Sequence, residues 1–259
     1  MDPNQIIGAG VDAYNALDAD SKHALTYPSA KTLGNATDGL ISLICYPLLK
    51  AQIFTQEKLK QYKLEVKEKI SEIPENNRDR GKFGLVLKAI EESRYQLNED
   101  DIREMYVNLI ASTLDNRKNN FVNPRLASVI AQFGPNEAEF LKIIYHQKNQ
   151  QMPLGYLNIK NSKNTNIIKA TNYLCSCDDG SYLSRKDESI DILRSLGIIE
   201  VTNDSWLAAP KYSPRYQTIE NILKNFVNRS LGENESLELN KCCLKINSFG
   251  RSLCHCIFE

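Results

Sequence analysis

Seven cysteines and three histidines are the residues of this 259-residue chain best suited to hold a metal or act as nucleophiles. Cys175-Ser-Cys177, Cys242-Cys243 and Cys254-His255-Cys256 all fall in the C-terminal half, and thiolate clusters bind zinc tetrahedrally. Structural zinc sites usually separate paired cysteines by about two to four residues. Here one residue or none intervenes, which makes chelation by both members of a pair awkward. The apolar neighbours Tyr173-Leu174 and Ile257-Phe258 suit buried, inert thiols, so we expect no metal and no other cofactor. None of His23, His146 and His255 stands in a catalytic spacing; His146 ends an apolar helical stretch, where a cation is mildly favourable. The chain has no His-Glu-x-x-His, no phosphate-cradling loop and no nucleophile elbow. Gly8-Ala-Gly10 lacks both the third glycine of a dinucleotide fingerprint and a preceding strand. Glu91-Glu92 and Asp100-Asp101 sit at helix ends, where capping and solvation explain them, and nothing opposes a raised-pKa acid to an ionised one. We assign no catalytic residue and expect a protein that is not an enzyme.

The remaining candidate chemistry is cationic. Lys160, Lys163, Lys169, Arg185, Lys186 and Arg194 form the one set that could contact phosphates. Residues 136–259 carry 15 Lys plus Arg against 14 Asp plus Glu, and the whole chain carries 32 of each. No general field therefore attracts nucleic acid or acidic lipid. The segment best placed to enter a groove, roughly residues 186–196, also carries Asp187, Glu188 and Asp191, which oppose insertion. A protein partner is the leading expectation, with self-association a further one and nucleic acid the alternative.

These side chains must be positioned by mostly helical elements. Leu59, Tyr62, Val66, Ile70 and Ile73 recur at spacings of three and four, which predicts one buried helical face. Lys58, Lys60, Lys63, Glu65, Lys67, Glu68 and Lys69 form its solvated exterior. A short helix follows over 85–92. Asn98 then reads as an N-cap, with Asp101 in capping-box position, ahead of the apolar face Ile102, Met105, Tyr106, Leu109, Ile110 and Leu114. Asn123-Pro124 opens another helix, and 137–146 carries Phe140, Leu141, Ile144 and Tyr145 inward. Pro28 and Pro47 bracket a further helical candidate, 30–46. The most apolar run, 40–49, is about half the roughly 20 residues of a spanning helix, and 1–20 lacks the pattern of a signal peptide. The odd cysteine count fits a reducing compartment, so we expect a cytoplasmic protein. A membrane-acting effector using 40–49 and the adjoining cationic helix is the remaining alternative.

After Gln147 the composition shifts toward Asn and Lys, and strand-like pieces appear. Residues 193–201 read as a helix end, a Gly197 C-cap and a strand over 198–201. Cys243-Leu-Lys-Ile-Asn alternates as a second strand, and Ser248 begins a closing helix. That order is the one found in a winged helix-turn-helix. We therefore expect a mainly α chain: a helical domain over 1–134, then a winged-helix-like domain over 135–259 with a small β-wing. Between its wing strands lies a long insertion, about 202–238, with its own helix placing Ile219, Ile222, Leu223 and Phe226 on one face.

Three stretches together resemble the abortive infection alpha family of bacteria and phages. They are Tyr27-Pro-Ser-Ala-Lys-Thr-Leu-Gly with Tyr46-Pro-Leu; the segment 97–115, running through Val122-Asn-Pro to Phe133-Gly-Pro-Asn-Glu-Ala; and Leu244-Lys-Ile-Asn-Ser-Phe-Gly-Arg-Ser-Leu-Cys. The middle stretch is the most specific. This chain has Asn123-Pro124 where relatives carry His-Pro, and Gly134 where a capping Ser is usual. The resemblance implies a role in phage defence, read here as non-enzymatic action through protein interaction. A DNA-binding regulator of prophage or defence genes is the alternative. No catalytic residues come with it.

Overall fold

The computed structural model describes residues 56–79, 81–163, 167–203 and 205–259. The helical candidate at 30–46, the apolar run at 40–49 and the Tyr27 and Tyr46 motifs lie outside them. Contacts divide the chain into two units, one comprising Met1–Pro135 with Ser252–Glu259, the other Asn136–Arg251.

The first unit is helical. Helix α1 (Gln56–Ser71) turns Leu59, Tyr62, Val66 and Ile70 inward, with Ile73 just past its end, all buried as the spacing predicts. Each such side chain contributes about 1.5–3 kcal/mol on burial. Helix α2 (Phe83–Ser93) and α1 pack on α3 (Asp100–Thr113), and α4 (Arg125–Ile130) packs on α2 and α3. Asn98 does not cap α3. Glu99 occupies the N-cap position without a side-chain bond, and the Asn98 side-chain Oδ1 accepts from Lys58 Nζ at 2.5 Å instead.

Helix α3 is buried far around its circumference, polar Asn108 and Ser112 included. Those two have a partner on the closing helix α8 (Ser248–Ile257). Asn108 Nδ2 donates to the Ile257 carbonyl at 2.8 Å, Ser112 Oγ to that of Cys256 at 2.8 Å, and Lys118 Nζ to that of His255 at 3.2 Å. A helix end leaves its last carbonyls without intrahelical donors, and α3 supplies them. Leu253, Cys254, Cys256 and Ile257 are buried with this unit. The last turns of α8 thus belong to the core that α1 to α4 form.

The second unit overturns the winged-helix expectation, and with it the mainly α class. Its centre is a six-stranded, wholly antiparallel sheet. After α5 (Pro135–His146) the chain enters β1 (Gln151–Asn161), then β2 (Ile167–Lys169), β3 (Leu174–Ser176) and β4 (Tyr182–Ser184). Helix α6 (Asp187–Ser195), β5 (Ile199–Thr202), α7 (Ser213–Lys224) and β6 (Glu235–Ile246) complete it. The Gly197 turn, at φ +73, and the β5–β6 pairing are present as read from sequence. However, β6 runs its full length along β1, from Gln151↔Lys245 to Asn161↔Glu235. The supposed wing is the edge of a larger sheet, and strands stand where a helix-turn-helix would need helices.

Helix α7 covers one face, burying Tyr212, Tyr216, Ile219 and Leu223 against Leu157 and Leu174. Gly155 permits this approach: a Cβ there would meet Ile219 Cγ2 and Leu239 Cδ1 at 3.1 Å. Tyr216 Oη donates to the Cys242 carbonyl at 2.7 Å and accepts the Leu207 N–H at 3.2 Å. The start of α8 is fixed to the Gly197 turn by Asn247. Its N–H donates to Ile198 O (3.0 Å), its Nδ2 to Gly197 O (2.8 Å), and its Oδ1 accepts from Gly250 N–H (2.9 Å).

Candidate binding cleft

An interruption in the sheet builds the cleft. On β1, three residue steps separate Gly155 from Asn158, but five separate their partners Leu174 and Lys169. So β2 and β3 are one strand broken by a two-residue bulge, which throws the segment 170–173 out of the ladder. The bulge is held by main-chain and hydroxyl bonds to Leu157: Ala170 N–H donates to its carbonyl at 2.8 Å, and Thr171 Oγ1 accepts its N–H at 2.9 Å. The bulge floors an open cleft of about 400 Å³, walled by Ser184 and Arg185 past β4 and by Leu223 and Phe226 from the end of α7. That volume lies within the roughly 300–1,000 Å³ of ligand clefts.

Tyr173 organises the floor. Its N–H donates to Asp187 Oδ1 at 3.2 Å, and its ring meets Tyr156 edge-on at 5.3 Å. Lys169 Nζ lies 4.1 Å from the Tyr173 ring centre, 5.0 Å from that of Tyr156 and 3.6 Å from Asp187 Oδ1. A cation over a ring contributes about 0.5–1 kcal/mol at an exposed site. Burial pushes the Tyr173 phenol up to about 12, against the lowering charge of Arg194, so this hydroxyl stays protonated at neutral pH.

Arg185 differs from its neighbours. Its backbone is left-handed, at φ +57, a conformation that costs a non-glycine residue about 1–3 kcal/mol. Its side chain is exposed, and among the described residues it has no acid or hydrogen-bonding partner. Phe226, 55% exposed, stands in the same cleft. A strained, unpaired guanidinium beside an exposed ring can hold an anionic group next to an apolar one.

Of the six cations singled out from sequence, the structure brings Lys169 and Arg185 together in this cleft. Lys160, on β1, pairs with Glu238 at 3.4 Å. Lys163 is exposed just beyond β1. Lys186 is drawn to Glu139 at 3.0 Å and lies over the Phe140 ring. Arg194 is exposed in the last turn of α6. Asn172, Tyr173 and Phe226 were not singled out. Phe226 is predicted to share the inward face of Ile219 and Leu223, but α7 ends at Lys224 and leaves it outside.

The six described cysteines, Cys175, Cys177, Cys242, Cys243, Cys254 and Cys256, are free and buried. Burial pushes the Cys175, Cys177, Cys243 and Cys254 thiols up, and the Cys256 thiol up to about 11. Such thiols are poor nucleophiles. Among the described residues no group of three His, Cys, Asp or Glu side chains is placed to hold a metal, and no helix is long and apolar enough to cross a membrane.

A sequence model of the family described as abortive infection alpha matches residues 54–257. The match takes in the middle and closing stretches on which the resemblance rests, and reaches into both units. Neither a curated protein nor a solved structure matches the chain.

Proposed function

Because the chain belongs to the abortive infection alpha family, we propose that it is a phage-defence protein that acts by binding a protein partner through the cleft of its second unit, not by catalysis. The observation that carries this reading is Arg185, held in a strained conformation without a partner among the described residues beside exposed Phe226. Strain of that kind is retained where surrounding structure and use require it. Binding is favoured over catalysis by the cleft's contents. Its lysine is engaged with Asp187 and two rings, its phenol is held protonated, and neither stands against a nucleophile. The DNA-regulator alternative loses its footing with the winged helix, and α6, its supposed reading helix, begins with Asp187 and Glu188. We place the protein in the cytoplasm, a reading supported by its free thiols.

The test is expression in a phage-sensitive bacterial host, scoring plaque formation and host survival for the wild type and for Arg185→Gly. Glycine relaxes the left-handed backbone while removing the guanidinium, so the variant folds. Protection by the wild type that is lost in the variant at equal protein level supports the reading. Absence of protection across a broad phage panel overturns it, and full protection by Arg185→Gly removes the cleft from it.

A further inference from the structure

Among the described residues, the row beside β2 holds no strand. The interrupted strand β2–β3 lies along β1, and β4 pairs with the β3 part alone. At Ser184 the row of β4 ends, because the left-handed Arg185 directs the chain into α6. No strand among the described residues fills the place next to β2, and the cleft adjoins it. Main-chain groups face this gap. Ala170 N–H bonds to Leu157 O, and in an antiparallel ladder bonded residues alternate. Ile168 therefore faces β1, whereas the N–H and C=O groups of Ile167 and Lys169 face outward. All three β2 residues are exposed, Ile167 and Ile168 at 60% and 59%. Free edges are normally shortened, charged or covered; this one, though three residues long and carrying Lys169, displays two exposed isoleucines.

Building on the partner-binding reading above, we propose that the partner docks by strand addition: an extended protein segment of alternating acidic and apolar residues pairs with β2 in the vacant row. Successive side chains of a strand point to opposite faces. Ile168 therefore presents an apolar group on one face, and Lys169 a cation beside Ile167 on the other. An alternating segment matches both at once, its carboxylates reaching Lys169 and, where the row of β4 ends, Arg185. Main-chain pairing supplies affinity and the alternating side chains supply selectivity. A nucleic-acid strand offers no backbone donors for the outward carbonyls of Ile167 and Lys169, and the 15-to-14 charge balance of residues 136–259 gives phosphates little attraction.

The test uses the full chain and a fluorescein-labelled octapeptide alternating glutamate and valine, followed by anisotropy. Saturable binding is expected, weakened about tenfold by Arg185→Gly and retained by Arg185→Lys. A lysine–valine octapeptide and a glutamate–valine peptide N-methylated at alternate residues should both fail to bind. Binding should slow hydrogen exchange at the Ile167 and Lys169 amides, leaving Ile168 as it was. Failure of the glutamate–valine peptide, equal binding of its N-methylated form, or preference for an oligothymidylate overturns strand addition. If the peptide fails while Arg185→Gly still abolishes phage protection, docking by strand addition falls and the partner-binding reading stands. If the peptide binds but protection is indifferent to Arg185, the failure lies in the functional reading instead.

Discussion

Replacing Gly250 with alanine should destabilise the second unit far more than removal of one hydrogen normally could. An added Cβ would overlap the Ile198 carbonyl oxygen and stand 2.7 Å from Ile246 Cγ2 and 3.1 Å from Ile198 C. Two of those three atoms are backbone of the Gly197 turn, so no rotamer change relieves the clash. The N-terminus of α8 must retreat instead. Overpacking of this kind costs about 1–3 kcal/mol. Retreat also stretches the bonds from Asn247 to Ile198 O and Gly197 O, each worth about 1 kcal/mol. The helix gains back about 1 kcal/mol from exchanging glycine for alanine. The balance is a loss of about 2–4 kcal/mol. At about 2–4 °C per kcal/mol for a chain of this size, the calorimetric Tm should fall by about 5–15 °C. Gly84→Ala is the internal control: on α2, with nothing within 4 Å of the new Cβ, it should be neutral or stabilising by up to about 1 kcal/mol. A Gly250→Ala Tm within 2 °C of wild type would refute the reasoning, because the close approach of α8 to Ile198 would then not be a feature of the folded protein.

Tyr216→Phe should cost about 1–3 kcal/mol in urea unfolding, since it strips the buried Cys242 carbonyl of its donor and the Leu207 N–H of its acceptor; an effect below 0.5 kcal/mol would count against it. The Arg117 guanidinium holds the Asp115 carboxyl below its ordinary range. Its contribution is therefore complete above the unfolded value near pH 4 and is lost as pH falls through the folded one. Asp115→Asn should cost about 1.5–3 kcal/mol at pH 7, with the gap to wild type closing below about pH 4; a gap constant with pH would disprove the assignment. Finally, counting alkylated thiols by intact mass at pH 8 should show Cys175, Cys177, Cys242, Cys243, Cys254 and Cys256 unmodified in the native protein and modified in denaturant. Rapid native labelling of any of them would contradict their burial.

The helices were legible because their signals are local. Leu59 to Ile73, and Ile102 to Leu114, repeat at helical spacing and are buried as that spacing requires. The Gly197 turn, β5 and the last residues of β6 from Cys243 announced themselves through a glycine C-cap and alternation, whereas the start of β6 at Glu235 was read as part of an insertion. Strand β1 did not. Pro153 and Gly155 read as breakers, and Met152 to Gly155 are all buried, which erases the period of two that marks a half-exposed strand. Without β1, its neighbours β2 and β3 are three-residue fragments, and β5–β6 looks like an isolated wing. The site suffered in the same way. Lys169 and Arg185 stood out as cations, but their meeting depends on a bulge fixed by register with Gly155 and Asn158, which no local pattern encodes. The buried Asn108 and Ser112 are similar: mid-helix polar residues whose reason lies at the other end of the chain.

That last pairing imposes an order on synthesis. Domains emerging from a ribosome generally fold in sequence, the N-terminal one first. Here α1 to α4 cannot complete their core when they emerge, because Leu253, Cys254, Cys256 and Ile257 fill it and the carbonyls that Asn108 and Ser112 await are those of Ile257 and Cys256. Those residues emerge only after the whole of Asn136–Arg251 has been made. The helical unit is therefore closed only after the sheet unit has been made, and a chain released before residue 252 carries an unclosed helical core, which marks it for proteolysis.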